Sequence, residues 1–140
     1  MQELMEFKII SKHRLINHYY PKFSIAVNAL PEAQLWLKDK RNVNSIGGII
    51  VHVIEHIKRN SIKIKYPNQI FEKGIEDTFT DLNLSKNDLM SFFENAIREF
   101  EQAMDEAEEY CIYDIYHLIE HTGYHLGQVV DRSQSITDNR

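Results

Sequence analysis

From Ile115 to Val130 the residues Ile115, Leu118, Ile119, Thr122, Leu126, Val129 and Val130 return every three or four positions, apolar but for one threonine. That spacing lays them along one face of an α-helix and leaves no alternation for a strand. Three earlier segments repeat the pattern. The first runs through Leu4, Phe7, Ile9, Ile16, Tyr20, Phe23, Val27 and Leu30, and the second through Ile46, Ile49, Ile50, Val53 and Ile57. The third carries Leu89, Phe92, Phe93, Ala96, Phe100, Ala103 and Ala107. Only three prolines and five glycines interrupt the 140 residues, which suits long helices better than a β-rich fold. The expected architecture is all-α, an antiparallel four-helix bundle formed as a single domain over residues 1–140.

Local signals place the helix ends. Ser45 is an N-cap for the second helix, and Ser85 with Asp88 three residues later opens the third. Asp114 is the expected cap of the fourth. Pro21 falls inside the first stripe and predicts a kink or two helical pieces. Pro31 and the following EAQLW predict a short turn of helix. Residues 60–84, with Pro67, Gly74 and several Asn and Asp, read as a long connection between helices 2 and 3. Connections of that length tend to carry function, so it is a candidate lid or crossover. Within it, SIKIKY alternates apolar and charged residues as a brief strand would. Cys111 continues an apolar series and reads as a small buried hydrophobe without chemistry.

Charge and composition narrow the function classes. Hydrophobic residues make up 43% and charged residues 26%, so a packed core is within reach and wholesale disorder is not expected. A single cysteine permits no internal disulfide and fits a reducing compartment. The opening MQELMEF has no apolar signal-peptide core, and the apolar run Ile46–Ile57 is broken by His52, Glu55 and His56. A soluble, cytoplasmic protein with no membrane partner is therefore expected. The net charge of −5 argues against a nucleic-acid partner. Its distribution is uneven: residues 1–70 hold 11 Lys and Arg against 5 Asp and Glu, and residues 71–140 hold 5 against 16. Two such halves in one domain attract each other. The cluster Lys58, Arg59, Lys63 and Lys65 is a solvated loop by the simplest reading and an anion site by a sharper one.

The seven histidines carry the chemistry. His117, His121 and His125 are spaced by four on the fourth helix, and His52 and His56 by four on the second. Residues four apart share a helix face, so two imidazoles can reach one metal ion. A third from a neighbouring helix completes a set with open positions. At 100° per residue from Ile115, His125 falls at about 280°, His121 at about 240° and His117 at about 200°. His125 and His121 thus flank the buried stripe while His117 turns to solvent. On the second helix His52 and His56 both border the stripe, His56 slightly favoured, and periodicity leaves the choice open.

Other motifs fail on their own terms. His52-Val-Ile-Glu55-His56 matches the inverted zincin pattern HxxEH, but such proteases are far larger. A di-iron carboxylate site needs Glu-x-x-His on two helices, and the nearest case, Asp114-x-x-His117, occurs once. No GxSxG nucleophile motif is present.

Two segments, SIGGIIVHVIEH on the second helix and EHTGYHLGQVVDR on the fourth, resemble the DinB-like superfamily of four-helix bundles. YYPKFSIAVNALPEAQLW, followed by NSIGG, is also similar to one branch of it, and the most specific part is the HxxxHxGQ run from His121 to Gln128. The resemblance implies that one second-helix histidine and two fourth-helix histidines hold a metal. By the motif match these are His52, His121 and His125. It implies a divalent ion, zinc or nickel, with water or substrate in the remaining positions. Characterised members include transferases and isomerases that use a low-molecular-weight thiol such as bacillithiol, mycothiol or glutathione. The implied activity is a metal-dependent thiol transferase or hydrolase on a small-molecule substrate. In it the metal stabilises a thiolate for attack on an electrophile, and Gln128 or Tyr124 orients a ligand. Glu55, His56, His117 and Glu120 receive no role from the match. Relatives are often dimers, so a homodimer is expected. The alternative is a non-catalytic bundle whose metal serves stability or sensing, and a third reading is a metal-free interaction module.

Overall fold

A computed structural model of the chain describes residues 2–71 and 79–138. Among the described residues the regular structure is entirely helical. The first helix, α1, is one rod made of α-helix Gln2–Lys12, a π-helical stretch His13–Tyr19 and α-helix Tyr20–Asn28. It is followed by α2 (Ile46–Lys65), α3 (Lys86–Glu106) and α4 (Ile112–Asp138).

Pro21 stands in the first turn of a second α-helical piece, Tyr20–Asn28, which the π-helical stretch joins to the first. Proline offers no N–H and crowds the carbonyl four residues back. The widened turn lies immediately before it, where the Tyr20 N–H bonds the Leu15 carbonyl five residues earlier. Ser45 caps α2 as expected, its Oγ accepting from the Gly48 N–H at 2.8 Å, and the Ser85 Oγ caps α3 by accepting from the Asp88 N–H at 3.1 Å. The short turn after Pro31 is a 3₁₀ helix, Glu32–Gln34.

Four expectations are corrected. Residues 60–65 belong to α2, so the connection begins at Tyr66 and SIKIKY is helical up to Lys65. One face of that turn, Asn60 and Ser61, is buried, and their side chains bond the carbonyls of His56 and Ile57. Lys58, Arg59, Lys63 and Lys65 therefore lie on a helix rather than a loop, with Arg59 and Lys63 over the Phe71 ring. Helix α4 begins at Ile112, which puts Asp114 in its first turn, where a carboxylate faces the positive end of the helix dipole. Cys111 is exposed because it sits in the link between α3 and α4 and not on a packed face. Part of the expected connection, 72–78 with Gly74, lies outside the described residues.

One contiguous cluster of buried side chains draws on every helix, including Leu15 and Phe23 of α1, Ile50 and Ile57 of α2, Phe93 and Phe100 of α3, and Ile115 and Leu126 of α4. Each of α1 and α2 packs chiefly against α3 and α4, so consecutive helices α1 and α2 face each other across the core. The two charge-biased halves meet in the ion pairs Lys12–Asp105 and Lys38–Asp81. No described helix is long and apolar enough to cross a membrane.

The link before α2 and the end of the connection are clasped together. The Trp36 indole N–H donates to the Leu84 carbonyl at 2.8 Å, and its ring lies over Gly47, where a Cβ would come within 2.6 Å of it. Glycine is required there by contact. Asp81 accepts from the Ser45 hydroxyl at 2.7 Å and pairs with Lys38 at 2.6 Å. These contacts carry the connection back across the N-terminal end of α2 and bring Phe79 to the histidines.

Candidate metal centre

Helices α2 and α4 pack side by side, which turns the two four-spaced histidine series toward each other. Where α4 passes α1, Gly123 of the HTGYH run faces the Tyr19 side chain, whose hydroxyl would lie 3.0 Å from a Cβ there. His52, His56 and His125 are buried, at 1%, 8% and 6% exposure, and His121 is half-buried between them. His117 is exposed, as the angular count predicts, and so are Glu55 and Glu120.

His121 is the hub. Its Nε2 lies 3.0 Å from Nε2 of His52 and 3.1 Å from Nε2 of His125. Separations close to this occur when imidazoles share a tetrahedral ion at about 2.0–2.1 Å each. His56 is part of the same cluster: ligand atoms of His52, His56 and His121 all lie within 4.8 Å of one another. The His56 ring stands 4.0 Å from that of His121 and 4.6 Å from that of His52.

The hydrogen-bond ledger fits a cation. The Nδ1–H of His125 donates to Gln128 Oε1 at 2.7 Å, which leaves its Nε2 as a bare lone pair aimed at His121. Such an outer bond to the far nitrogen is how metal-ligating imidazoles are held and oriented. His121 Nε2 cannot donate to both neighbours with one proton, and its Nδ1, like Nε2 of His56, is buried without a partner. Three Nε2 atoms crowded together, with the orphaned Nε2 of His56 nearby, are a poor arrangement for neutral packing. A divalent ion of intermediate softness suits such a nitrogen donor set.

Protonation is disfavoured at His56, His121 and His125. Burial, reinforced by the neighbouring imidazoles, pushes His121 down to about 3 and His56 to about 4. Burial also lowers His125, partly offset by its bond to Gln128. His56, His121 and His125 are therefore neutral near pH 7, the state that metal ligation requires.

Phe79 lids one side, its ring 4.2 Å from that of His52 at an interplanar angle of 23°. A cleft of about 440 Å³ opens beside His125, walled by Arg41, Ile49, Phe79, Tyr124 and Arg132 among others. Of the residues assigned by motif, His52 and His121 lie with His56 in a three-histidine set, and His125 joins through its 3.1 Å approach to His121. Periodicity had no means to find Phe79, and Gln128 proves to hold a histidine. The Tyr124 hydroxyl accepts from Gln128 Nε2 at 3.5 Å, and its ring meets that of His125 edge-on at 5.2 Å. Replacing Gln128 with alanine should weaken zinc binding about tenfold by freeing the His125 ring. Calorimetric titration checks this, and an unchanged affinity would show that the bond does not orient a ligand.

Compared with protein-family models, with curated proteins and with solved structures, the chain finds no match.

Proposed function

We propose that the chain is a divalent-metal protein of the DinB-like kind, an antiparallel four-helix bundle in which His52, His121 and His125 hold zinc or nickel. The observation that carries this reading is the meeting of three imidazole Nε2 atoms around His121, at 3.0 and 3.1 Å. The motif run His121 to Gln128 supports it independently, because Gln128 is bonded to the His125 ring.

The activity proposed is transfer or hydrolysis on a small molecule, with a low-molecular-weight thiol as co-substrate. Bound there, the ion would supply Lewis acidity that lowers the pKa of a thiol or water. The chain's own residues do the remainder. His52, His121 and His125 stay unprotonated and serve as ligands rather than as acid–base groups. Gln128 fixes the His125 ring. Phe79 excludes water from one side of His52, and the cleft beside His125 admits a substrate next to Tyr124 and Arg132. A structural or sensing metal is the second reading, favoured by the fourth imidazole, His56, against the cluster.

Metal analysis by mass spectrometry of untagged protein tests the site, and the expected result is about one zinc or nickel per chain. Loading the protein with cobalt and adding thiol separates the two readings. A thiol-dependent change in the visible spectrum supports the enzyme, and an indifferent spectrum supports the closed structural site. Protein that is metal-free and ignores added zinc and nickel would sink both.

A further inference from the structure

His56 is left over from the three-ligand reading, yet it is not placed like a spectator. It is 8% exposed, one helical turn beyond His52, and its Nε2 is buried with no hydrogen-bond partner. Its ring lies against both His52 and His121, and with them it forms a set whose ligand atoms are within 4.8 Å of one another. A buried nitrogen costs free energy unless something binds it. Among the described residues no side chain supplies a donor or acceptor to this one. A cation at the cluster supplies what is missing.

His125 differs from His56 in one respect. Its far nitrogen is tied to Gln128, so the ring is held in a single orientation. His121 and His52 are common to both arrangements: His121 Nε2 meets those of His52 and His125 at 3.0 and 3.1 Å, and ligand atoms of His52, His121 and His56 lie within 4.8 Å of one another.

We propose that His56 is a fourth ligand residue of the same metal centre, able to replace His125. The inference rests on the metal-site reading above and adds to it. The centre then has two overlapping three-nitrogen sets with His52 and His121 as the shared pair. Occupied by all four imidazoles it is closed, and release of either outer histidine opens one position without losing the ion. A site of this kind holds its metal firmly at rest and still accepts an incoming ligand.

The test is titration of the full chain with cobalt, read by visible absorption, and with zinc, read by calorimetry. Four proteins are compared: wild type, His125→Ala, His56→Phe, and the double variant. Phenylalanine keeps the volume of the His56 ring and removes its nitrogens, and helix content by circular dichroism checks the folding of each. His125→Ala should keep about one cobalt per chain with affinity within about tenfold of wild type, and the double variant should lose about a hundredfold more. The cobalt bands of His56→Phe should shift, because the ion loses a nitrogen donor.

His125→Ala binding as weakly as the double variant would overturn the proposal while leaving the three-histidine site intact. So would a His56→Phe spectrum and affinity identical to wild type. Wild type that binds neither cobalt nor zinc would overturn the metal reading itself, and this inference with it.

Discussion

Alanine at His121 should abolish metal binding outright, whereas alanine at His117, one turn earlier on the same helix, should leave it unchanged. His121 Nε2 meets those of both His52 and His125, and its ring also lies 4.0 Å from that of His56. Neither three-nitrogen set survives its loss. We expect zinc affinity to fall by more than about 100-fold, beyond the upper end of what removing an outer hydrogen-bond partner costs. His117 is exposed, with ring centroid 6.1 Å from His121, and its ring stacks on Tyr113 instead. The measurement is metal content after dialysis, followed by calorimetric titration. Equal losses in the two variants would mean that the metal, if bound, sits elsewhere.

Acid should destabilise the metal-free protein well above the range in which carboxylates titrate. An unperturbed histidine titrates near 6.5, while burial holds His121 at about 3 and His56 at about 4 in the fold. Between those values the unfolded chain binds more protons than the folded one, so stability rises with pH through the window and falls as pH drops below 6.5. Between pH 7 and pH 5 we expect a loss of about 2 kcal/mol. That is less than two independent groups would give, because the rings are in contact and the first proton to enter loosens the cluster for the second. Urea unfolding at both pH values, after chelation, measures it. The combined His56→Phe and His121→Phe replacement should flatten the dependence. A wild-type profile already flat from pH 7 to pH 5 would show that the cluster accepts protons freely in the fold.

What was legible in the sequence follows the range over which each feature is determined. The caps at Ser45 and Ser85 are set within three residues, and both are present. The apolar stripe of α2 is buried at every position, because that helix lies against α3, α4 and the end of the connection at once. On α3 the stripe was nearly right: Phe92 is exposed, while Ile97 and Met104, one step round the helix, are buried. On α1, Ile9 faces solvent, about 200° round the helix from half-buried Phe7, while Leu15, inside the π-helical stretch, is buried. His117 pointing outward needed only arithmetic on one helix. The choice between His52 and His56 did not yield to such arithmetic, because both are buried by neighbours remote in sequence. Phe79 over His52 depends on Asp81 and Leu84 being fastened to Ser45 and Trp36, contacts with no local signature.

The chain's lone tryptophan is therefore also a built-in optical gauge. Trp36 is wedged over Gly47 at the start of α2 and bonded to the Leu84 carbonyl just ahead of α3. Its emission wavelength reports whether that junction is closed, with no contribution from a second indole. Ellipticity in the far ultraviolet instead reads the helices as a whole. If the two signals part company during denaturation, the clasp that carries Phe79 to His52 lets go before the helices do. The histidine cluster would then lose its lid while its scaffold still stands.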